Sequence, residues 1–163
     1  KEVQNLVVQA AAEIGAECEA MRTAPDFHRF RITRGKEREL VDIVIDRAPQ
    51  LDSKKEVFDG IRVDTLREIL ANKLTTLISR TELKDLVDLY FLGRMGHDLM
   101  AAVTDARKKD GGWDPAVVTM LLDGMDIDES PAWLIQDIPL KDLRNFVKDL
   151  RLDIAKLALP PDA

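Results

Sequence analysis

The chain has 163 residues, of which 45% are hydrophobic and 33% are charged, a balance typical of a soluble globular protein. A net charge of −6 argues against a nonspecific nucleic-acid coat. The single cysteine, Cys18, excludes an internal disulfide framework and favours a reducing cytoplasm, and no apolar run approaches membrane-spanning length.

The first predicted elements are a helix and two strands. Apolar residues recur at three- and four-residue spacing over 3–14, and Gly15 is suited to the position after a helix end. A short segment, 17–21, leads towards a sheet. Strand-like runs follow at 27–33 and 39–46.

Glycine at the first position of a two-residue loop predicts how these strands pair. If Gly35 and Lys36 form the loop, Arg29 lies opposite Asp42. Side chains alternate across a strand, so the hairpin has an apolar face and a mixed face. The mixed face contains Arg29, Arg31, Leu40, Asp42, Val44 and Asp46. It is either a solvated surface or the floor of a site.

The next segment, 63–92, predicts a pair of helices around which the chain is organised. Thr65 and Glu68 have the spacing of a capping box, in which each side chain accepts a hydrogen bond from an otherwise unpaired backbone N–H. A break at 79–82 separates the two helices. We therefore expect each helix to bury an apolar stripe against the other.

Three charged residues lie on these apolar stripes. Lys73 is one turn from apolar residues of the first helix, and Asp85 and Asp88 are one turn apart on the second. Buried lysine and aspartate are rare unless paired, because an unpaired buried charge costs several kcal/mol. The pattern indicates either a structural Lys73–Asp85 ion pair or a functional site.

The rest of the chain is predicted to be a loop, a short strand and further helices. The loop covers 48–60, and residues 61–63 form an edge strand. Beyond Gly93 the pattern is helical, which divides the chain into a mixed part, 1–92, and a helical domain, 93–163. Residues 131–138 lead into a last helix that ends before Pro160 and Pro161. Four acidic residues that lie between two helices of the helical domain are predicted to form a solvated loop: Asp123, Asp126, Asp128 and Glu129.

Phosphoryl and nucleotidyl transfer require carboxylates that hold Mg²⁺ and a cation that balances the phosphate charge. Asp42 on a strand and Lys73 on a helix meet part of this requirement. Two-metal chemistry requires two or three carboxylates close together, and here only Asp42, with Asp46, is available. The sequence therefore contains part of such a site.

The residues around the central helices resemble a known family. Three short runs resemble the signature of AbiEii/AbiGii-type nucleotidyltransferases, which are toxins of abortive-infection and type IV toxin–antitoxin systems. These runs are Ala71-Asn72-Lys73-Leu74, Ser79-Arg80 and the residues from Lys84 to Leu92. The strand 40–44 resembles the one that carries the family's third acidic residue. The resemblance implies an α+β, polymerase-β-like nucleotidyltransferase fold with an appended helical domain.

The resemblance also implies an activity and roles for particular residues. The activity would be Mg²⁺-dependent transfer of a nucleotide from an NTP to RNA, tRNA in some members, under control of an antitoxin. Asp42 would bind the metal, Lys73 would contact the nucleotide, and Asp85 would orient Lys73 or assist proton transfer. Asp88 would brace the helices. Further roles follow for arginines: Arg29 and Arg31 at the nucleotide, and Arg80 in structural support.

Two features depart from the family pattern. In the family, a Gly-Gly/Ser turn and an Asp-x-Asp motif come before the segment that corresponds to the start of this chain. Because we expect both motifs before Lys1, we expect this chain alone to be inactive. Lys84 replaces the usual arginine, which keeps the charge and loses the bidentate fork. The competing hypothesis is a non-catalytic interaction module in which Lys73 and Asp85 form a structural ion pair. The transferase hypothesis predicts that Asp42 and Lys73 line one concavity.

Overall fold

A computed structural model describes residues 2–80, 82–128 and 137–159. The fold is α+β, as the sequence predicts, and the chain divides into two compact units, Lys1–Arg47 and Ala48–Ala163. The elements are α1 (Glu2–Glu13), β1 (Glu17–Ala24), β2 (Phe27–Arg34), β3 (Glu37–Val44), β4 (Glu56–Phe58), β5 (Ile61–Val63), α2 (Leu66–Ser79), α3 (Leu83–Arg94), α4 (Leu99–Lys109), α5 (Pro115–Asp123) and α6 (Leu140–Ala158).

The first unit is a helix and a three-stranded antiparallel sheet in the order β1-β2-β3. The predicted register is confirmed, with Arg29 opposite Asp42. Gly35 has a φ of +61°, the left-handed value that a two-residue hairpin loop with glycine first requires. The strand β1 is longer than the predicted segment, because it pairs with β2 along its whole length through a bulge at Met21.

The apolar face of this sheet and α1 form the small core of the first unit. Phe30 is fully buried there and Ala11 of α1 is nearly so. An open apolar groove of about 730 Å³ is lined by α1 and by Ile32, Val41 and Ile43 of the sheet. The predicted division of the hairpin into an apolar face and a mixed face is therefore confirmed.

The second unit begins with a strand that was not predicted from the sequence. The predicted loop 48–60 contains β4, which pairs with β5 in a two-stranded hairpin. Asp59 and Gly60 connect them with φ values of 50° and 80°. Positive φ at both central residues defines a type I′ turn, for which Asp-Gly is a preferred sequence.

The core of the second unit is formed by the helices α2 to α6. Its largest fully buried hydrophobic side chains come from α2, α3, α5 and α6: Leu74, Leu77, Leu86, Leu89, Val118, Leu143 and Ile154. Trp113, in the Gly-Gly-Trp stop after α4, is also buried, and its indole N–H donates to the Leu74 carbonyl at 2.9 Å. The domain boundary near Gly93 stays a prediction.

The helix starts follow the capping residues in the sequence. The side chains of Thr65, Asp98 and Asp114 accept from backbone N–H groups at the starts of α2, α4 and α5. Glu129, most of the predicted bridge 131–138, and the stop at Pro160 and Pro161 lie outside the described residues. No helix in the described part of the chain is long and apolar enough to cross a membrane.

Candidate functional site

Four charged side chains from α2, α3 and the turn between them form one network. Lys73 Nζ lies 3.0 Å from Asp85 Oδ1 and 2.5 Å from Asp88 Oδ2. Arg80, directly after α2, closes the network by donating through Nε to Asp85 Oδ2 at 2.9 Å and through Nη2 to Oδ1 at 3.1 Å. The structure therefore brings two cations, Lys73 and Arg80, into direct contact with the two carboxylates.

Asp85 is the buried centre of this network. Its side chain has 0% exposure, whereas the side chain of Arg80 is 42% exposed. Burial would raise the pKa of Asp85, but hydrogen bonds from Arg80 and Lys73 outweigh burial, and the pKa of this carboxyl is lowered. Asp85 is therefore an ionised carboxylate whose charge is balanced by two cations.

Lys73, like Arg80, combines a fixed position with access to solvent. Its side chain is 24% exposed. Burial would lower the pKa of Lys73, but hydrogen bonds to Asp88 and Asp85 outweigh burial, so the pKa is raised. The ammonium group stays protonated at neutral pH. This arrangement suits contact with an anion such as phosphate, and it does not suit proton abstraction by the lysine.

The lowered pKa of Asp85 predicts how stability depends on pH. A carboxylate with a lowered folded-state pKa stabilises the fold above its unfolded pKa of about 4, and this stabilisation is lost as pH falls through the folded value. We expect Asp85→Asn to be less stable than the wild type at pH 7 and the difference to shrink at acidic pH. Unfolding by urea at both pH values measures this.

Asp126→Asn is the control, because Asp126 is exposed. We expect this variant to unfold like the wild type at both pH values. A stability difference between Asp85→Asn and the wild type that is the same at both pH values would contradict the assignment of Asp85 as an ionised, stabilising carboxylate.

The second group of predicted site residues lies on the mixed face of the first unit's sheet. Arg29 donates to both oxygens of Asp42, at 2.7 and 2.6 Å, which is a bidentate pair. The hydrogen bond with Asp42 raises the pKa of Arg29. Arg31 pairs with Glu19 on the neighbouring strand. That Asp42 and Lys73 line one concavity stays a prediction.

The residues present do not fit a magnesium site by themselves. Among residues 2–80, 82–128 and 137–159, no group of three or more His, Cys, Asp or Glu side chains lies close enough together to hold a metal ion. Magnesium takes oxygen ligands, and Asp42 offers oxygens that already accept from Arg29. Asp42 is therefore at most one ligand of such a site.

A second buried network was not predicted from the sequence. The carboxylate of Glu68 is fully buried and pairs with Lys109 of α4, whose ammonium also donates to the Pro49 carbonyl at 3.1 Å. Glu68 Oε2 accepts from the backbone N–H groups of Leu51 at 2.9 Å and Asp52 at 3.3 Å. The capping-box prediction is therefore half right: the Thr65 hydroxyl accepts from the Glu68 N–H at 3.2 Å, but the glutamate side chain binds elsewhere.

Charged residues next to this pair continue the network to the surface. Arg67 donates to both oxygens of Asp105, through Nε at 2.5 Å and Nη2 at 2.8 Å. Lys108 also donates to Asp105, at 2.9 Å. Hydrogen bonds from Arg67 and Lys108 hold the pKa of Asp105 well below its usual range. These contacts join α2 to α4 and have no counterpart in the predicted site.

The acidic residues at the end of α5 and directly after it are partly paired with α6. Asp123 forms an ion pair with Arg151, and Asp128 lies 3.7 Å from Arg144. Both carboxylates are largely exposed, at 66% and 74%. The predicted solvent exposure is therefore confirmed for both residues, but Asp123 is the last residue of α5 and only Asp128 lies in a loop. Both are paired with arginines of α6.

Comparison with known proteins identifies the family. The family model described as nucleotidyl transferase AbiEii toxin, type IV TA system, matches residues 3–159. The chain therefore belongs to the AbiEii family of nucleotidyl transferase toxins of type IV toxin–antitoxin systems. No curated protein and no solved structure matches the chain significantly. Membership confirms the resemblance drawn from the residues around Lys73, and it implies an antitoxin partner and nucleotide substrates.

Proposed function

We propose that the protein transfers a nucleotide from an NTP to an RNA acceptor, with tRNA as one candidate, in a Mg²⁺-dependent reaction in the cytoplasm. The observation that carries the proposal is the position of Lys73. Its ammonium is held between a buried and an exposed carboxylate while part of the side chain stays accessible. Family membership supplies the reaction class.

The residues of the network have two kinds of role: one contacts the substrate, and the others position it for that contact. Lys73 is the residue that we assign to nucleotide phosphate, because it is a fixed and partly exposed cation and because the resemblance of the residues around it to the family signature implies this role. Asp85 is a positioning residue, since a side chain with 0% exposure cannot reach a substrate. Arg80 keeps Asp85 ionised, and Asp88 holds Lys73 on the solvent side. Fixing a cation before the substrate arrives reduces the reorganisation that the reaction requires.

The other proposed contacts with the nucleotide come from the mixed face of the sheet. We assign Arg29 and Arg31 to the nucleotide, because both guanidinium groups are only partly exposed and held by carboxylates. Asp42 is proposed as a catalytic carboxylate and as one ligand of the metal.

The alternative function is a non-catalytic interaction module. The observation that favours it is complete pairing: every charge of the Lys73 network and the Arg29–Asp42 pair has a partner of opposite sign. In this alternative Lys73 and Asp85 stabilise the helix pair and have no substrate. The two functions differ in whether labelled nucleotide is transferred.

The test is incorporation of radiolabelled NTP into RNA by the protein expressed from its intact gene. We expect incorporation by the wild type, and we expect Arg31→Ala to raise the KM for NTP by about tenfold, since one charge-assisted contact is lost. Arg34→Ala is the matched control, because Arg34 also lies on β2 and pairs with a glutamate, Glu37. Absence of incorporation with every NTP, or equal KM changes in the two variants, would contradict the proposal.

A further inference from the structure

A pocket beside the end of α3 has no role in the proposed reaction. Its volume is about 400 Å³, and it is lined by the end of α3, the start of α4 and one face of α6. Tyr90 and Phe146 line it, with ring centroids 5.5 Å apart and an interplanar angle of 86°. An aromatic wall of this kind binds planar and cationic groups.

The charged residues around this pocket are mostly acidic. Asp98, Asp149 and Asp153 line it, together with Arg94 and His97. This leaves an excess of negative charge around an aromatic wall. A nucleotide phosphate would be repelled by such a rim, whereas a cation would be attracted.

The three carboxylates differ in whether they already form hydrogen bonds or ion pairs within the protein. Asp98 Oδ1 caps α4 by accepting from two backbone N–H groups at 2.9 Å. Asp153 accepts from Lys156 at 2.6 Å. Asp149 has no hydrogen bond or ion pair with any residue of the described part of the chain. It is therefore the carboxylate available to a ligand.

A groove on another face of α6 is lined by charges that are already paired. There Arg151 and Asp123 pair with each other, so opposite charges across the groove satisfy one another. In the pocket beside Tyr90, Asp149 and Arg94 do not form such a pair. Charges that line a pocket without pairing are those that a ligand can satisfy.

We propose that this pocket binds an arginine side chain presented by a protein partner. A guanidinium is planar, stacks on aromatic rings and pairs with a carboxylate in bidentate geometry, and the rings of Tyr90 and Phe146 and the carboxylate of Asp149 all line this pocket. Lysine lacks the planar fork. The inference goes beyond the proposed transfer reaction, because none of its residues belongs to the Lys73 network.

Fluorine NMR can test this directly. Tyr90 is the one tyrosine of the sequence, so incorporation of 3-fluorotyrosine places a single reporter at the pocket. We expect acetyl-arginine amide to shift this resonance saturably. Acetyl-citrulline amide, which has the same shape without the charge, should bind about tenfold more weakly.

Asp149→Asn should weaken binding of the arginine probe by about tenfold, and Asp142→Asn is the matched control on the same helix, outside the pocket. Equal binding of the probe by the two variants would overturn the proposal. So would tighter binding of spermidine, which would indicate a small-cation site, or of AMP, which would indicate a nucleotide site. The readout does not depend on nucleotidyl transfer, so its failure would leave the proposed function standing.

Discussion

Replacing Lys73 with alanine is expected to lower nucleotide incorporation by about 10²–10³-fold, the cost of removing one preorganised electrostatic contact to a developing charge. The loss should appear in kcat/KM, because Lys73 is held in place before substrate binds. Radiolabel transfer to RNA measures it. The fold should survive, since Arg80 still pairs with Asp85 in the variant.

Two further variants separate charge from geometry at this position. Lys73→Arg keeps the positive charge and should retain part of the activity. Lys156→Ala removes a lysine that is 72% exposed and paired with Asp153 on the surface of α6, and it should leave activity unchanged. Wild-type activity in Lys73→Ala would show that the lysine is structural.

Replacing Lys109 with methionine is expected to lower the free energy of unfolding by about 3–5 kcal/mol. The reason is the buried carboxylate that remains. Glu68 has 0% exposure and Lys109 1%, so the variant leaves an ionised glutamate in the protein interior with only backbone donors. Burial would raise the pKa of Glu68, but the hydrogen bond from Lys109, with those from Leu51 and Asp52, outweighs burial and lowers this pKa in the wild type.

Lys156→Met is the matched control for this prediction. It removes the same side-chain charge from an exposed pair with Asp153, which is worth about 0–1 kcal/mol. Urea unfolding of the two variants measures the difference. Equal losses would mean that the Glu68–Lys109 pair contributes no more than a surface pair.

The elements predicted well are those whose signals are local. The β2–β3 register follows from one glycine at the right position of a two-residue loop. The start of α2 follows from Thr65, whose side chain caps it. The strand β5 lies where the sequence predicts it, whereas the charges within 48–60 predict a loop where β4 forms, although the Asp59-Gly60 turn is a local signal for the hairpin.

The buried ion pairs could be predicted only in part. Lys73 and Asp85 were found because both lie on apolar stripes of neighbouring helices. The capping-box spacing predicts a local role for Glu68, whereas its partner Lys109 is 41 residues away on another helix. Sequence spacing does not indicate such a pairing, since it depends on how α2 and α4 pack.

The central claim is that Asp85 holds Lys73 for contact with substrate, and a double-mutant cycle on Lys73→Ala and Asp85→Asn tests it most directly, read both in nucleotide transfer and in unfolding. We expect Asp85→Asn alone to lower transfer by about tenfold, and to have no further effect once Lys73 is alanine. Strong coupling of the two residues in unfolding, with transfer unchanged in both single variants, would contradict the claim and leave a structural ion pair.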